Sequence, residues 1–396
     1  MSKRAGAESN PRCIAMILVL AGLVLCGPGG RWAAAADKPI RIGLSLSLTG
    51  RFAAIAGDQE KGYRLWEEGV NRGGGLLGRP VAVVIHDDAS QPENSQAIYR
   101  RLIAQDRVDF LFGPYSSLIS QAVLPIAAAA KLPILIGGAA ADSLWEQAYD
   151  NVVGIYTPAS KFTLGFFELL VWQGLDRVAL LAADDPFSKD LADSARRWAQ
   201  RFGLQIVFDA DFAKGTQDLS ALATQSRQSG AQVVMMCGHL NEAVNMRRAL
   251  KGLKWVPAAY YASVGPALPA FKARCGPDAE DVFATSLWEP HANFPGSQAF
   301  YDTFKTRYGT VPGYHAALAF ATGQVLEAAI RQADSAASGV VRDVLFQMDI
   351  MTIIGRFGID HHGKQVRQHT FIIQWQAGRK EVVWPQEIQT ATPIFH

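Results

Sequence analysis

The chain has 396 residues, 49% of them apolar and 19% charged, a globular composition whose length suits two or three domains. Its formal charge of +2 is gathered at the start, because Lys3, Arg4, Arg12 and Arg31 against Glu8 give residues 1–36 a balance of +3 and leave −1 for the rest. A near-neutral body offers no electrostatic footprint for DNA or RNA, so nucleic acid is not expected as a partner.

Residues 1–36 read as a signal peptide. A basic start is followed by an uncharged apolar run from Cys13 to Gly27, the break Pro28-Gly29-Gly30, and the small residues Ala34-Ala35-Ala36 before Asp37. The apolar run is shorter than the roughly 20 residues a membrane anchor needs. Cleavage near Ala36-Asp37 and export to the periplasm are therefore expected. Of four cysteines, Cys13 and Cys26 fall in this segment, leaving Cys237 and Cys275. An exported pair invites a disulfide. However, Cys237 ends an expected strand and Cys275 a helix running back to the other sheet edge, which argues against bridging.

From Pro39 strands and helices alternate. Ile40–Ser47 and Val81–His86 read as strands, Asp58–Asn71 and Asn94–Gln105 as helices, and Phe110–Phe112 and Ile134–Ile136 as short buried strands flanking a helix at Ser117–Ala130. The pattern then restarts with strands at Val178–Ala182, Ile206–Phe208, Val233–Met236 and Ala258–Tyr261. Helices beginning near Lys189, Leu219, Asn241 and Ala267 separate or follow them. Two such series predict two similar α/β lobes with parallel sheets covered by helices. Helices at Gln298–Tyr308 and Tyr314–Arg331 come next. Phe357, Asp360–Gly363, Thr370–Gln374 and Glu381–Val383 then read as an antiparallel ribbon.

Gly73-Gly74-Gly75-Leu76-Leu77-Gly78 spells a dinucleotide fingerprint, but it lies after a helix and before a strand, the reverse of the order that would bring a helix N-terminus to a pyrophosphate. It reads as a helix stop and turn, and no cofactor is expected. The histidines at 361, 362 and 369 beside Asp360 do not read as a metal site, since neighbours on a strand face opposite ways. Ser116-Ser117 has no nearby histidine to serve as an activating base, so no catalytic residue is assigned.

Ligand chemistry is expected where strands end and helices begin. Gly113-Pro114-Tyr115-Ser116-Ser117 offers hydroxyls and unpaired N–H groups, and Gly137-Gly138-Ala139-Ala140-Ala141 repeats the geometry with small residues. Ordinary helix capping by Ser117 and Asp142 is the alternative. The second series has Asp184-Asp185-Pro186-Phe187, Gly238-His239 and Tyr261-Ala262-Ser263 at equivalent ends, and Trp288, where the chain recrosses, reads either as a hinge-packing residue or as a wall of the ligand pocket.

Taken in order, Leu48-Thr49-Gly50, Gly57-Asp58-Gln59, Asn71 through Pro80, Gly113 through Ser117, Ala183 through Ser188, Tyr308-Gly309, Pro312-Gly313-Tyr314 and Phe357-Gly358-Ile359-Asp360 make the chain resemble the leucine/isoleucine/valine-binding family of type I periplasmic receptors, from about Pro39 to Pro385. The resemblance implies two Rossmann-like lobes joined by three crossovers, drawn at residues 37–156 plus 287–343 and at 157–286 plus 344–396. It also implies a non-enzymatic, monomeric receptor that closes over a small ligand and delivers it to a membrane ABC permease complex. A sensor feeding a signalling partner, or an exported enzyme, is the alternative. Ser116, Ser117, Ala139 and Ala141 would hold a ligand carboxylate, and Asp185, Phe187, His239, Tyr261 and Trp288 would complete the site. Ser263-Val264-Gly265-Pro266 lacks the acid with which amino-acid binders of this family hold the ligand ammonium. This tilts the expectation toward an apolar or aromatic carboxylate.

Overall fold

The structure, a computed structural model, describes residues 38–147 and 149–396. The segment expected to be a signal peptide, with Cys13 and Cys26, lies outside them. A five-stranded sheet forms first, from β1 (Ile40–Leu46), β2 (Val81–Asp87), β3 (Phe110–Phe112), β4 (Ile134–Ile136) and β5 (Val152–Gly154). Its order is β2-β1-β3-β4-β5 and every pair is parallel. Helices α1 (Ala53–Arg72), α2 (Pro92–Ala104) and α3 (Ser117–Ala129) are the crossovers. Strands such as Phe110-Leu111-Phe112 and Ile134-Leu135-Ile136 are wholly buried, as expected where helices cover both faces. Gly73 caps α1, and an isolated bridge between Leu76 and Arg79 closes the glycine-rich turn.

The second series comprises α4 (Leu164–Gln173), β6 (Arg177–Ala183), α5 (Pro186–Phe202), β7 (Gln205–Phe212), α6 (Ser220–Gln228), β8 (Val233–Cys237), α7 (Leu240–Gly252), β9 (Ala259–Ala262), α8 (Pro269–Cys275) and β10 (Val282–Ser286). The chain then continues through α9 (Ser297–Tyr308), α10 (Tyr314–Ala333), α11 (Ser338–Leu345), the hairpin strands β11 (Asp349–Thr352) and β12 (Gly355–Gly358), β13 (Phe371–Gln376) and β14 (Arg379–Trp384). The second sheet has the order β14-β13-β10-β9-β8-β6-β7, in which β13 runs antiparallel to both of its neighbours, β10 and β14, and every other pair is parallel. What read as one terminal ribbon is therefore two pieces. Between them Asp360 Oδ1 accepts from the His362 and Lys364 N–H groups in a turn.

Helix α10 belongs against the first sheet although it follows the second. Trp66 of α1 donates to Glu327 at 3.1 Å, and a Cβ placed on Gly323 would sit 2.1 Å from the Trp66 ring. Only glycine allows that helix contact. The chain thus passes between the sheets after β5, after β10 and again before β13, the expected three crossovers.

Boundaries differ from the sequence reading where apolar runs mislead. β7 extends to Phe212 because it is an edge strand whose Asp209 and Asp211 face solvent, Asp209 being gripped through both oxygens by Arg196. α4 is hidden in the sequence because its apolar residues are not confined to one face: Phe166, Phe167, Leu169 and Leu170 are buried, but Val171 and Trp172 are exposed, which blurs its period. Cys237 and Cys275 are both free thiols. Among the described residues no helix is long and apolar enough to cross a membrane.

Candidate functional site

Loops at the carboxyl ends of parallel strands from both sheets meet around a cavity lined by Tyr115, Ser116, Ser117, Gly138, Ala139, Ala140, Tyr156, Phe187, His239 and Val264. Ser116 caps α3 from a left-handed backbone (φ 76°), its Oγ accepting from the Ile119 N–H at 3.3 Å. Such strain in a non-glycine residue persists where surrounding contacts fix it. Here the Ser116 N–H donates to the Gly138 carbonyl at 3.1 Å, locking the β3–α3 loop to the loop after β4. A Cβ on Gly138 would lie 2.7 Å from Gln59 Nε2 and 3.0 Å from the Pro114 carbonyl, so this junction tolerates no side chain.

Ser117 is the chemical centre of this wall. Its buried Oγ accepts from the Ala141 N–H at 3.0 Å and from the Ala140 N–H at 3.3 Å. With both lone pairs engaged, the hydroxyl can act only as a donor, and among the described residues no group accepts from it. The Ser117, Leu118 and Ala139 N–H groups likewise have no acceptor among the described residues. The first two are the free donors at the start of α3. No lysine or arginine side chain lines the cavity. The wall therefore presents neutral donors and the positive end of a helix, suited to one carboxylate.

The opposite wall comes from the second sheet. Phe187 lies in the first turn of α5, His239 caps α7 and Val264 follows β9. Phe187 and His239 stand 5.3 Å apart between ring centres. Asp185 lies one layer back. It caps α5, accepting from the Ser188 N–H at 3.2 Å and Ser188 Oγ at 2.9 Å, and pairs with Lys214 at 3.1 Å and with His239 at 3.5 Å. Burial pushes its carboxyl pKa up, but His239 and Lys214 outweigh that and hold it below the usual carboxylate range. Behind Tyr156, His315 is fully enclosed. Burial, aided by repulsion from His239, pushes its pKa down to about 3, so it is neutral at pH 7.

The sequence-derived candidates thus separate. Ser116, Ser117, Ala139, Phe187 and His239 line the cavity. The Ala141 N–H is consumed by Ser117. Tyr261 is core, its hydroxyl bonded to Thr285 at 2.7 Å and its ring stacked on Phe166 at 4.7 Å. Trp288 is also core, donating to Ser297 Oγ at 2.9 Å and packing edge-on against Phe300. Two contributors escaped sequence reading. Tyr156 sits just after β5 at the first crossover, the counterpart of the Trp288 crossover. Phe52, at the N-terminus of α1, meets Tyr115 at 5.1 Å and His239 at 5.9 Å and joins Ile55, Tyr115, Ile119, Leu240 and Leu268 in an apolar cluster bridging the two halves.

The sequence matches the family model described as periplasmic binding protein over residues 39–380. The Leu/Ile/Val-binding protein homolog 7 of Brucella suis is 25% identical over 374 residues, covering 89% of this chain and 93% of that protein. The leucine binding protein LivK of Thermotoga maritima superposes with a TM-score of 0.81 at 20% identity, covering 87% of this chain and 97% of the other. An R. palustris ABC transporter solute binding protein in complex with benzoate gives 0.78 at 17% identity, with 87% and 95% covered. The chain belongs to the periplasmic binding protein family, in its type I, leucine/isoleucine/valine-binding branch.

Proposed function

We propose that this chain is the periplasmic receptor of an ABC importer, a monomer that captures a small monocarboxylate between lobes formed by residues 37–156 with 287–343 and 157–286 with 344–396. The single observation carrying this reading is Ser117, whose hydroxyl accepts two backbone N–H bonds and so keeps its proton for a ligand. The unpaired N–H groups beside it extend the same donor surface. Benzoate in the R. palustris protein, and the leucine, isoleucine and valine of the Brucella protein's name, all carry one carboxylate, which supports a common grip at this end.

The rest of the cavity favours an apolar or aromatic body, with Tyr115, Tyr156, Phe187 and Val264 supplying contact area. Closing the lobes would exclude water and strengthen each hydrogen bond to the carboxylate. Calorimetric titration with benzoate, isoleucine and their amides tests this reading, after mass spectrometry of whatever copurifies. At least one acid should bind about tenfold or more tightly than its amide, since a carboxylate accepts charge-assisted bonds the amide cannot. Equal binding of acids and amides would end the carboxylate reading.

A further inference from the structure

The two walls of the cavity are also joined directly, by bonds in which no ligand takes part. Helix α5, on the second sheet, carries the half-buried Asp190 shortly after Phe187. One oxygen of Asp190 accepts from both the N–H and the hydroxyl of Ser143, each at 3.0 Å. Ser143 lies in the short helical turn Asp142–Leu144 of the first half, directly after the Ala140–Ala141 N–H groups that hold Ser117. Among the described residues no other group donates to Asp190, and the adjacent Lys189 pairs with Asp184 instead.

The neighbouring Asp142 makes the reciprocal arrangement. It accepts from the N–H and hydroxyl of Ser160, both at 2.8 Å, and from Lys364 at 2.9 Å. Ser160 stands just past Tyr156 at the first crossover, and Lys364 lies in the segment that leads to β13 at the third, so this pair sits at the pivot. The Ser160 carbonyl is in turn held by Ser194 at 2.6 Å and Trp198 at 3.0 Å, one and two turns beyond Asp190 on α5. The middle of α5 is therefore tied to the pivot, and Asp190 stands on the side away from it. Groups beside a hinge hardly separate when lobes turn, whereas those carried away from it do. Phe52 supplies a second tie of another kind, packing with Leu240 and Leu268 of the second half and lying 5.4 Å beneath Lys214 Nζ.

We infer that Ser143 and Asp190 form a closing clasp, made only when the lobes shut, which biases this receptor toward its closed form before any ligand binds and so raises its affinity for every ligand alike. The bonds to Asp190 are charge-assisted and contain no ligand atom, so they favour closure whatever the cleft holds. Opening returns the carboxylate to water. The inference rests on the lobe closure proposed above and is independent of the carboxylate reading.

The test is small-angle scattering of the purified protein, freed of copurifying ligand by unfolding and refolding. Asp190→Ala and Asp190→Asn are compared with their parents in the wild-type and Phe52→Ala backgrounds, with urea unfolding to confirm the fold. Ser143→Cys with Asp190→Cys, joined by a short thiol-to-thiol cross-linker in a Cys275→Ser background, gives the closed reference, Cys237 being buried. Asp190→Ala should move the open-to-closed ratio by about tenfold, read as a larger radius of gyration in at least one background. Asp190→Asn, which keeps an acceptor, should recover part of the compactness. If Asp190→Ala expands neither background while both exceed the cross-linked reference, the lobes move and the clasp is overturned. If every protein matches the reference, lobe closure itself falls and takes the clasp with it. Neither result touches the grip of Ser117 on a carboxylate, which the titrations of acids against amides decide.

Discussion

Replacing Ser117 by alanine removes one hydroxyl from the cavity wall, and its consequences divide cleanly between stability and binding. In the unliganded protein the Ala140 and Ala141 N–H groups lose the oxygen they share at 3.3 and 3.0 Å. Two partly enclosed donors without an acceptor cost about 1–3 kcal/mol of stability. In the complex, the charge-assisted bond from the Ser117 hydroxyl to a carboxylate is lost, worth about 1.5–3 kcal/mol, or about tenfold to 150-fold in Kd. The freed Ala140 and Ala141 N–H groups can turn to the ligand, so the loss should fall toward the lower figure. Calorimetry with benzoate and benzamide, alongside urea unfolding without ligand, separates the two effects. The acid should lose affinity by about tenfold or more and the amide by clearly less, because the amide never had the charge-assisted bond. If both ligands lose equally in a folded variant, Ser117 supports the loop and does not grip a carboxylate.

Two other perturbations probe closure and burial. Phe52→Ala empties the centre of the apolar cluster shared with Tyr115, Leu240 and Leu268, so the unliganded protein should open further in small-angle scattering and Kd should rise by about tenfold to a hundredfold; unchanged scattering and affinity would show that the cluster does not hold the lobes together. His315 has a folded pKa pushed down to about 3, against about 6.5 when unfolded. Between those values the unfolded chain binds the extra proton, so stability should fall as pH drops, by about 1.4 kcal/mol per pH unit. His315→Gln should flatten the unfolding free energy across that window, and a slope identical to wild type would mean His315 is not the group responsible.

The fold was legible wherever an apolar run coincided with a buried element. Ile134–Ile136 and Val233–Met236 are continuous apolar runs because helices cover both faces of a parallel strand, and the structure places strands there. Edge strand β7 was read too short because one of its faces is wet and acidic. The site was legible to the extent that topology governs it. Strand ends after β3, β4, β6 and β8 do supply Ser116, Ser117, Ala139, Phe187 and His239, whereas Tyr261 was assigned by the same rule and turned inward. Alternation explains the failure. Successive residues of a strand face opposite sides of the sheet, so a strand-end aromatic reaches the cleft only if the turn has already begun at its position. Tyr261 is still within β9 and stacks on Phe166 of α4, while Val264, three residues later and past the strand, meets the cavity. Trp288 and Tyr156 show the limit from the other side. Both are aromatics next to crossovers, and nothing in sequence spacing tells which one packs into a lobe and which one faces the cleft. That depends on partners distant in the chain, Ser297 and Phe300 for Trp288 and His315 for Tyr156. Ligand preference lies further still from sequence, because it turns on which polar groups the protein leaves unpaired. Asp185, an acid at a strand end, is occupied by Lys214 and Ser188, and the neighbouring His239 lines the cavity in its place.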